Sequence, residues 1–307
     1  MGVLGQVAVL FGLIVLGYVC AKIKLIDSMA ADVLSPVIMN VTLPCMILVS
    51  FQRPFSGELL GEAGIALAAS FVMYGVAFPL AFIYPRLLKM RGRERGVHRY
   101  AILFSNCGNL GYPVVEAILG AEYIFHASLF NMSFSFFAYS LGAWLLAKEG
   151  ERKVSLSWRA FVNPAILATV VGFLLFLFSV TLPEVLARGL EMTGSVTSPL
   201  SMLAVGIGLA RTDAKQIWGR WQIYVTVFIR LAALPFLVGM CCLVLGIRGS
   251  MLALTLIISA MPAAAITPVM ASLYKSAPEE GGTLVFMTTL FSMVSIPLLA
   301  LVINGFV

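Results

Sequence analysis

Long apolar runs alternate with short polar segments along the whole 307-residue chain. A helix needs about 20 mostly apolar residues to cross the hydrocarbon of a bilayer. Measured against that length, the chain offers ten runs, at 3–20, 30–51, 60–84, 100–119, 123–147, 160–180, 190–210, 223–246, 251–274 and 283–305. The pattern therefore predicts an all-α integral membrane protein with ten transmembrane helices.

Composition supports lipid as the main solvent. Hydrophobic residues make up 61% of the chain and charged residues 11%, with a mean hydropathy of +1.01; a soluble domain carries about 25% charged residues. The apolar N-terminus lacks a basic start and a small-residue cleavage site, so it reads as the first membrane helix and not as a signal peptide. The five cysteines lie in apolar runs without metal-ligand spacing and read as small core residues. Neither His98 nor His126 belongs to a metal motif, and no nucleophile elbow, phosphate-binding loop or dinucleotide fingerprint is present. No enzyme, cofactor or metal site is expected.

The net charge of +6 is set by topology. Of the 20 Lys and Arg residues, 16 fall in the odd-numbered connections and 3 (Arg53, Arg188, Arg248) in the even ones, leaving Arg230 inside span eight. Basic residues accumulate on the cytoplasmic side. The odd connections are thus cytoplasmic, and both termini face outside a plasma or bacterial inner membrane. The charge run Lys89–Arg99 reads as one such connection; without interleaved aromatics it does not indicate a nucleic-acid partner.

Five spans plus five suggest a duplication, and an odd number of spans per copy inverts the second. Ser35-Pro36 in span two matches Ser198-Pro199 in span seven, and Pro79 in span three matches Pro235 in span eight. The expected halves are residues 1–155 and 156–307.

Spans four and nine are interrupted. Span four contains Asn106, Gly108, Asn109, Gly111 and Pro113 within eight residues. Span nine contains Pro262, Ala264, Ala265, Thr267 and Pro268 at a similar depth. Proline removes a backbone donor, and glycine weakens the helix. A break in hydrocarbon is tolerated where protein or water covers it, and matched breaks in two halves point to a substrate site. Each break exposes a half-helix N-terminus, whose free N–H groups bind a carboxylate without a buried cation.

The stretch Asn106-Cys107-Gly108-Asn109-Leu110-Gly111-Tyr112-Pro113 resembles the Asn- and Gly-rich, proline-ended segment of the auxin efflux carrier family, which includes bacterial dicarboxylate permeases and plant PIN-type exporters. Span two, with Leu43-Pro44, and the segment Met261-Pro262 through Pro268 are similar to that family's corresponding parts. The resemblance implies a scaffold of spans one, two, six and seven, a moving transport domain of spans three to five and eight to ten, broken helices four and nine crossing at the substrate, elevator-type alternating access and a homodimer. A related bile-acid symporter group uses sodium. Unlike many relatives, this chain has no Asn in its second crossover, and it lacks the long central loop of the plant members.

Together these readings predict a secondary transporter of a small organic anion, such as malate, malonate or an auxin-like acid, with apolar residues near Leu43 and Pro44 lining the scaffold face. The alternatives are a sodium-coupled symporter of an amphipathic organic anion and a membrane ligand sensor that does not transport. Arg230, about seven residues into span eight, either pairs with a substrate carboxylate or snorkels to the interface. Coupling to Na+ or H+ would run through Asn131 and Ser133, as oxygen ligands beside Asn106 and Asn109, or through Glu116 as a proton carrier; the alternative readings are interhelical hydrogen bonds for the first two and interfacial placement near the outer end of its span for Glu116. A local pair is expected between Arg188 and Glu191.

Overall fold

Proline placement shapes the helices. Pro44, Pro113 and Pro235 each follow a helical turn widened to π geometry, at Ile38–Thr42, Cys107–Gly111 and Ile229–Ala233 respectively. The proline ring pushes away the carbonyl four residues earlier and offers it no N–H. Inserting one residue into the turn absorbs that mismatch, so the helix continues past the proline. A fourth π turn, Ala138–Gly142, has no proline behind it.

A computed structural model describes residues 3–90, 92–150, 163–211 and 220–303. Among these residues the fold is helical, with one isolated antiparallel bridge and no strands. The helices are α1 (Val3–Lys22), α2 (Ala30–Ser50), α3 (Gly57–Leu87), α4 (Gly92–Leu103), α5 (Tyr112–Leu119), α6 (Ala121–Glu149), α7 (Pro164–Leu177), α8 (Glu184–Leu209), α9 (Trp221–Val244), α10 (Gly249–Ser259), α11 (Thr267–Leu273) and α12 (Pro278–Ile303).

Seven of the described helices (α1, α2, α3, α6, α8, α9 and α12) are long and apolar enough to cross a bilayer. The three remaining predicted spans are not single long helices. Span six is the 14-residue α7, about 21 Å long at 1.5 Å per residue. Span four is α4, a break and α5; span nine is α10, a break and α11. The expected junction of the halves at 155/156 lies outside the described residues, as do the basic residues Arg91, Arg152, Lys153, Arg159 and Lys215.

One expectation needs correcting. The charge run Lys89–Arg99 is not simply a connection: from Gly92 onward it forms the first two turns of α4, and His98 and Arg99 are buried. Glu149 makes this possible. It accepts from Arg95 Nη2 at 2.6 Å and from Arg99 Nη1 at 2.9 Å, while the Arg99 guanidinium lies 4.6 Å from the Phe82 ring centroid.

The chain divides into two compact units. The first comprises Met1–Ala68, Gly108–Met132 and Phe161–Arg211; the second comprises Ala69–Cys107, Ser133–Ala160 and Thr212–Val307. Each draws on both halves of the chain. In the first unit, α1 and α8 approach through glycines. A Cβ placed at Gly206 would stand 2.0 Å from Ile14 O, and one at Gly17 would stand 2.4 Å from Leu203 O. Small residues permit this backbone contact, which is how membrane helices gain packing energy where lipid supplies no hydrophobic drive. Asn163 caps α7 by accepting from Ile166 N at 2.9 Å.

Candidate functional site

Within the second unit, the two breaks meet. Beyond Leu103, residues Phe104–Asn106 run extended, and an antiparallel bridge joins Ser105 to Ala263. Asn106 N donates to Pro262 O at 2.8 Å, and Ala264 N donates to Phe104 O at 2.9 Å. Each break thus supplies part of what the other has lost from its helix. Ala263 N donates to Thr288 Oγ1 of α12 at 3.1 Å, and Thr267 Oγ1 donates to Ala264 O at 2.5 Å. These bonds meet the requirement that non-helical backbone at membrane depth be covered by protein.

Arg230 completes the crossing. It is fully buried, its Nε donating to Met261 O at 3.0 Å and its Nη1 to Ile102 O at 3.1 Å. Met261 lies just past the end of α10, and Ile102 is in the last turn of α4. One guanidinium thereby caps the C-terminal ends of two half-helices. It does not snorkel; its charge is turned inward onto carbonyls that the breaks have freed. Its Nη2 has no partner among the described residues. Each helix C-terminus carries roughly half a negative charge, so two of them are balanced by one arginine.

The other predicted residues are distributed as follows. Pro262 and Ala264 supply backbone groups to the crossing; Ala265 follows in the same segment, and Thr267 and Pro268 begin α11. In the first unit, Gly108, Asn109 and Gly111 lie in the π turn before α5, and Pro113 in its first turn. The Asn109 side-chain oxygen is buried and has no partner among the described residues. A Cβ at Gly108 would meet only the Met39 side chain, at 3.6 Å. Leu43 is buried and Pro44 half-buried in α2, directly after that helix's own π turn.

Asn131 and Ser133 make interhelical hydrogen bonds. Asn131 Nδ2 donates to Tyr112 OH at 3.3 Å, and Ser133 Oγ pairs with Ser70 Oγ at 2.6 Å. Glu116 accepts from Ser198 and lines a cavity of about 360 Å³ in the first unit, together with Arg53, Glu122 and Glu191. The expected pair of Arg188 and Glu191 is present at 2.8 Å.

Sequence reasoning missed a buried polar cluster in the second unit around His98, Tyr84, Thr226 and Glu280. It also missed Thr288. The available signal was an isolated histidine inside a charge run and a Glu279-Glu280 pair at the head of the last apolar run.

The family profile described as "Membrane transport protein" matches residues 2–300. An uncharacterized transporter from Methanothermobacter thermautotrophicus is 25% identical over 301 residues, covering 95% of both chains. Another, from Methanocaldococcus jannaschii, is 23% identical over 291 residues, covering 93% of this chain and 94% of the relative. A whole-length family match, transporter-named relatives of nearly equal length and a fold rich in membrane-length helices agree: the chain is a multi-pass membrane transporter belonging to the auxin efflux carrier family.

Proposed function

We propose that this protein is a secondary transporter of a small organic anion, with its substrate site at the crossing of the two broken segments. The observation that carries this reading is the paired break, Phe104–Asn106 against Met261–Ala264, held by two backbone bonds and by Arg230. Two uncompensated helix C-termini would repel an anion and attract a cation. With the guanidinium on both carbonyl ends, that negative field is cancelled, which favours an anion at the crossing over a sodium ion bound there. The substrate class is a small carboxylate such as malate, malonate or an auxin-like acid. Asn109, three residues along the chain from Asn106, is the side chain whose part in substrate binding the test below examines. Its buried amide oxygen lacks a partner among the described residues, and half a turn of the amide presents the N–H2 group as a donor to a carboxylate.

In the same reading, α4 with α5 and α10 with α11 are the fourth and ninth of ten spans arranged as two inverted repeats. Both termini lie outside, transport is of the elevator type, and the scaffold mediates a homodimer. The test is counterflow of labelled malate, malonate and indole-acetate into proteoliposomes, with wild type beside Asn109→Ala. Losing one such hydrogen bond costs about 1–3 kcal/mol, so uptake of the true substrate falls roughly 5- to 150-fold. Absence of flux for all three, from folded protein, would overturn the small-carboxylate reading. Uptake unaffected by Asn109→Ala would remove that residue from the site.

A further inference from the structure

The buried cluster around His98 is not used by the crossing, yet three helices hold both. The ring of His98 is 0% exposed. Its Nε2 faces Glu280 Oε1 at 3.0 Å, and its Nδ1 faces Thr226 Oγ1 at 2.6 Å and Tyr84 OH at 3.1 Å. Thr226 Oγ1 and Tyr84 OH also each reach Gln222 O, at 2.9 Å and 3.1 Å.

Counting donors and acceptors shows that this network is complete in two protonation states. In one, His98 is an imidazolium. Nε2–H donates to Glu280, Nδ1–H and the Tyr84 hydroxyl both donate to Thr226 Oγ1, and the Thr226 hydroxyl donates to Gln222 O. In the other, His98 is neutral. Nε2–H still donates to Glu280, and Nδ1 accepts from Thr226 or Tyr84 after one hydroxyl rotates. A buried group that gains a proton ordinarily leaves a neighbour unsatisfied. Here hydroxyl rotation absorbs the change.

The cluster also has contact with water. The second Glu280 oxygen pairs with Arg220, which is 54% exposed and reaches Glu94 Oε1 at 3.5 Å. Glu94, Arg220, Glu279, Glu280 and Thr283 line a cavity of about 540 Å³. Among the described residues, charges on the other packed elements are already engaged or lie at the surface, as do Arg86 of α3 and Lys89 just after it. Arg95 and Arg99 are held by Glu149 of α6, Arg230 of α9 is held by the crossing carbonyls, and Lys275, after α11, is exposed. Glu280 and Arg220 therefore set the field at the ring.

Three of the four helices bearing this network, α4, α9 and α12, also bear the crossing; the fourth, α3, supplies Tyr84. His98 lies five residues, about 8 Å, before the end of α4. Thr226 lies one turn before Arg230 on α9, and Glu280 two turns before Thr288 on α12.

Resting on the transporter reading, we propose that His98, with Glu280 as its counter-charge, is a proton-binding site that couples substrate movement to a pH gradient. The experiment uses the purified full-length chain in proteoliposomes, loaded with labelled malonate, malate or indole-acetate under an imposed pH gradient. Wild type accumulates its substrate above the gradient-free level. In His98→Gln that ratio falls to the gradient-free value, whereas His126→Gln, whose ring pairs with Glu62, accumulates as wild type does. Gradient-driven accumulation that survives in folded His98→Gln overturns the proposal, as does wild-type exchange that ignores the gradient.

If none of the three probes moves, it is the carboxylate reading that has failed, and a second measurement decides the proton site. The chain has two histidines, so nitrogen NMR of histidine-labelled protein gives two assignable rings. As the pH is varied, the His98 ring should show both its singly and its doubly protonated form. A His98 ring that keeps one form throughout overturns the site, whether or not His98→Gln folds.

Discussion

Replacing Arg230 by methionine removes one side chain and orphans two carbonyls. Arg230→Met preserves much of the volume but leaves Ile102 O and Met261 O without the donors that reach them at 3.1 and 3.0 Å. A buried group left unsatisfied costs about 1–3 kcal/mol, so the pair costs about 2–6 kcal/mol. Part is returned, because the folded protein no longer desolvates a guanidinium. We place the net loss at about 3 kcal/mol. At roughly 2–4 °C per kcal/mol, the unfolding midpoint should fall by about 6–12 °C. Arg230→Lys, which keeps the charge but cannot fork onto two carbonyls, should fall about half as far. The assay is thermal unfolding in detergent followed with a thiol-reactive dye, since all five cysteines are free and Cys107 and Cys242 are buried. An Arg230→Met midpoint within about 2 °C of wild type, the resolution such a comparison needs, would refute the capping role. If that stable variant also failed to bind substrate, Arg230 would be a direct ligand.

The glycine contact between α1 and α8 makes a paired prediction. Gly206→Ala forces a Cβ into the space of Ile14 O and should cost about 1–3 kcal/mol, whereas Gly12→Ala, which meets nothing within 4 Å, should raise the midpoint through helix propensity; thermal unfolding of both variants checks the sign. Glu149→Gln leaves Arg99, 5% exposed, buried without its counter-charge. The expected loss of about 3–5 kcal/mol should appear as a lower yield of monodisperse protein in size-exclusion chromatography, and a yield equal to wild type would contradict it.

What could be read from sequence here was what depends on residue class, and what stayed hidden was what depends on backbone groups or on partners distant along the chain. The interruptions at 104–113 and 260–268 were legible because proline and glycine alter the local backbone themselves, and the long apolar helices because length and hydropathy add along one segment. Span six read longer than α7 because an apolar run says how far lipid is tolerated and not where Asn163 caps the helix. The two turns of α4 inside the charge run were hidden because Glu149, about 50 residues away, is what neutralises Arg95 and Arg99. Arg230 is the sharpest case. Its two sequence readings, a substrate ligand and a snorkelling cation, both assumed that a buried charge needs another charge or water. Its observed acceptors are carbonyls, which every residue has and no composition reveals; only the end of a broken helix makes them free. The same breaks that marked the site therefore required the arginine, so a cation on a span with no acidic partner nearby in sequence is itself a sign that helix C-termini converge on it.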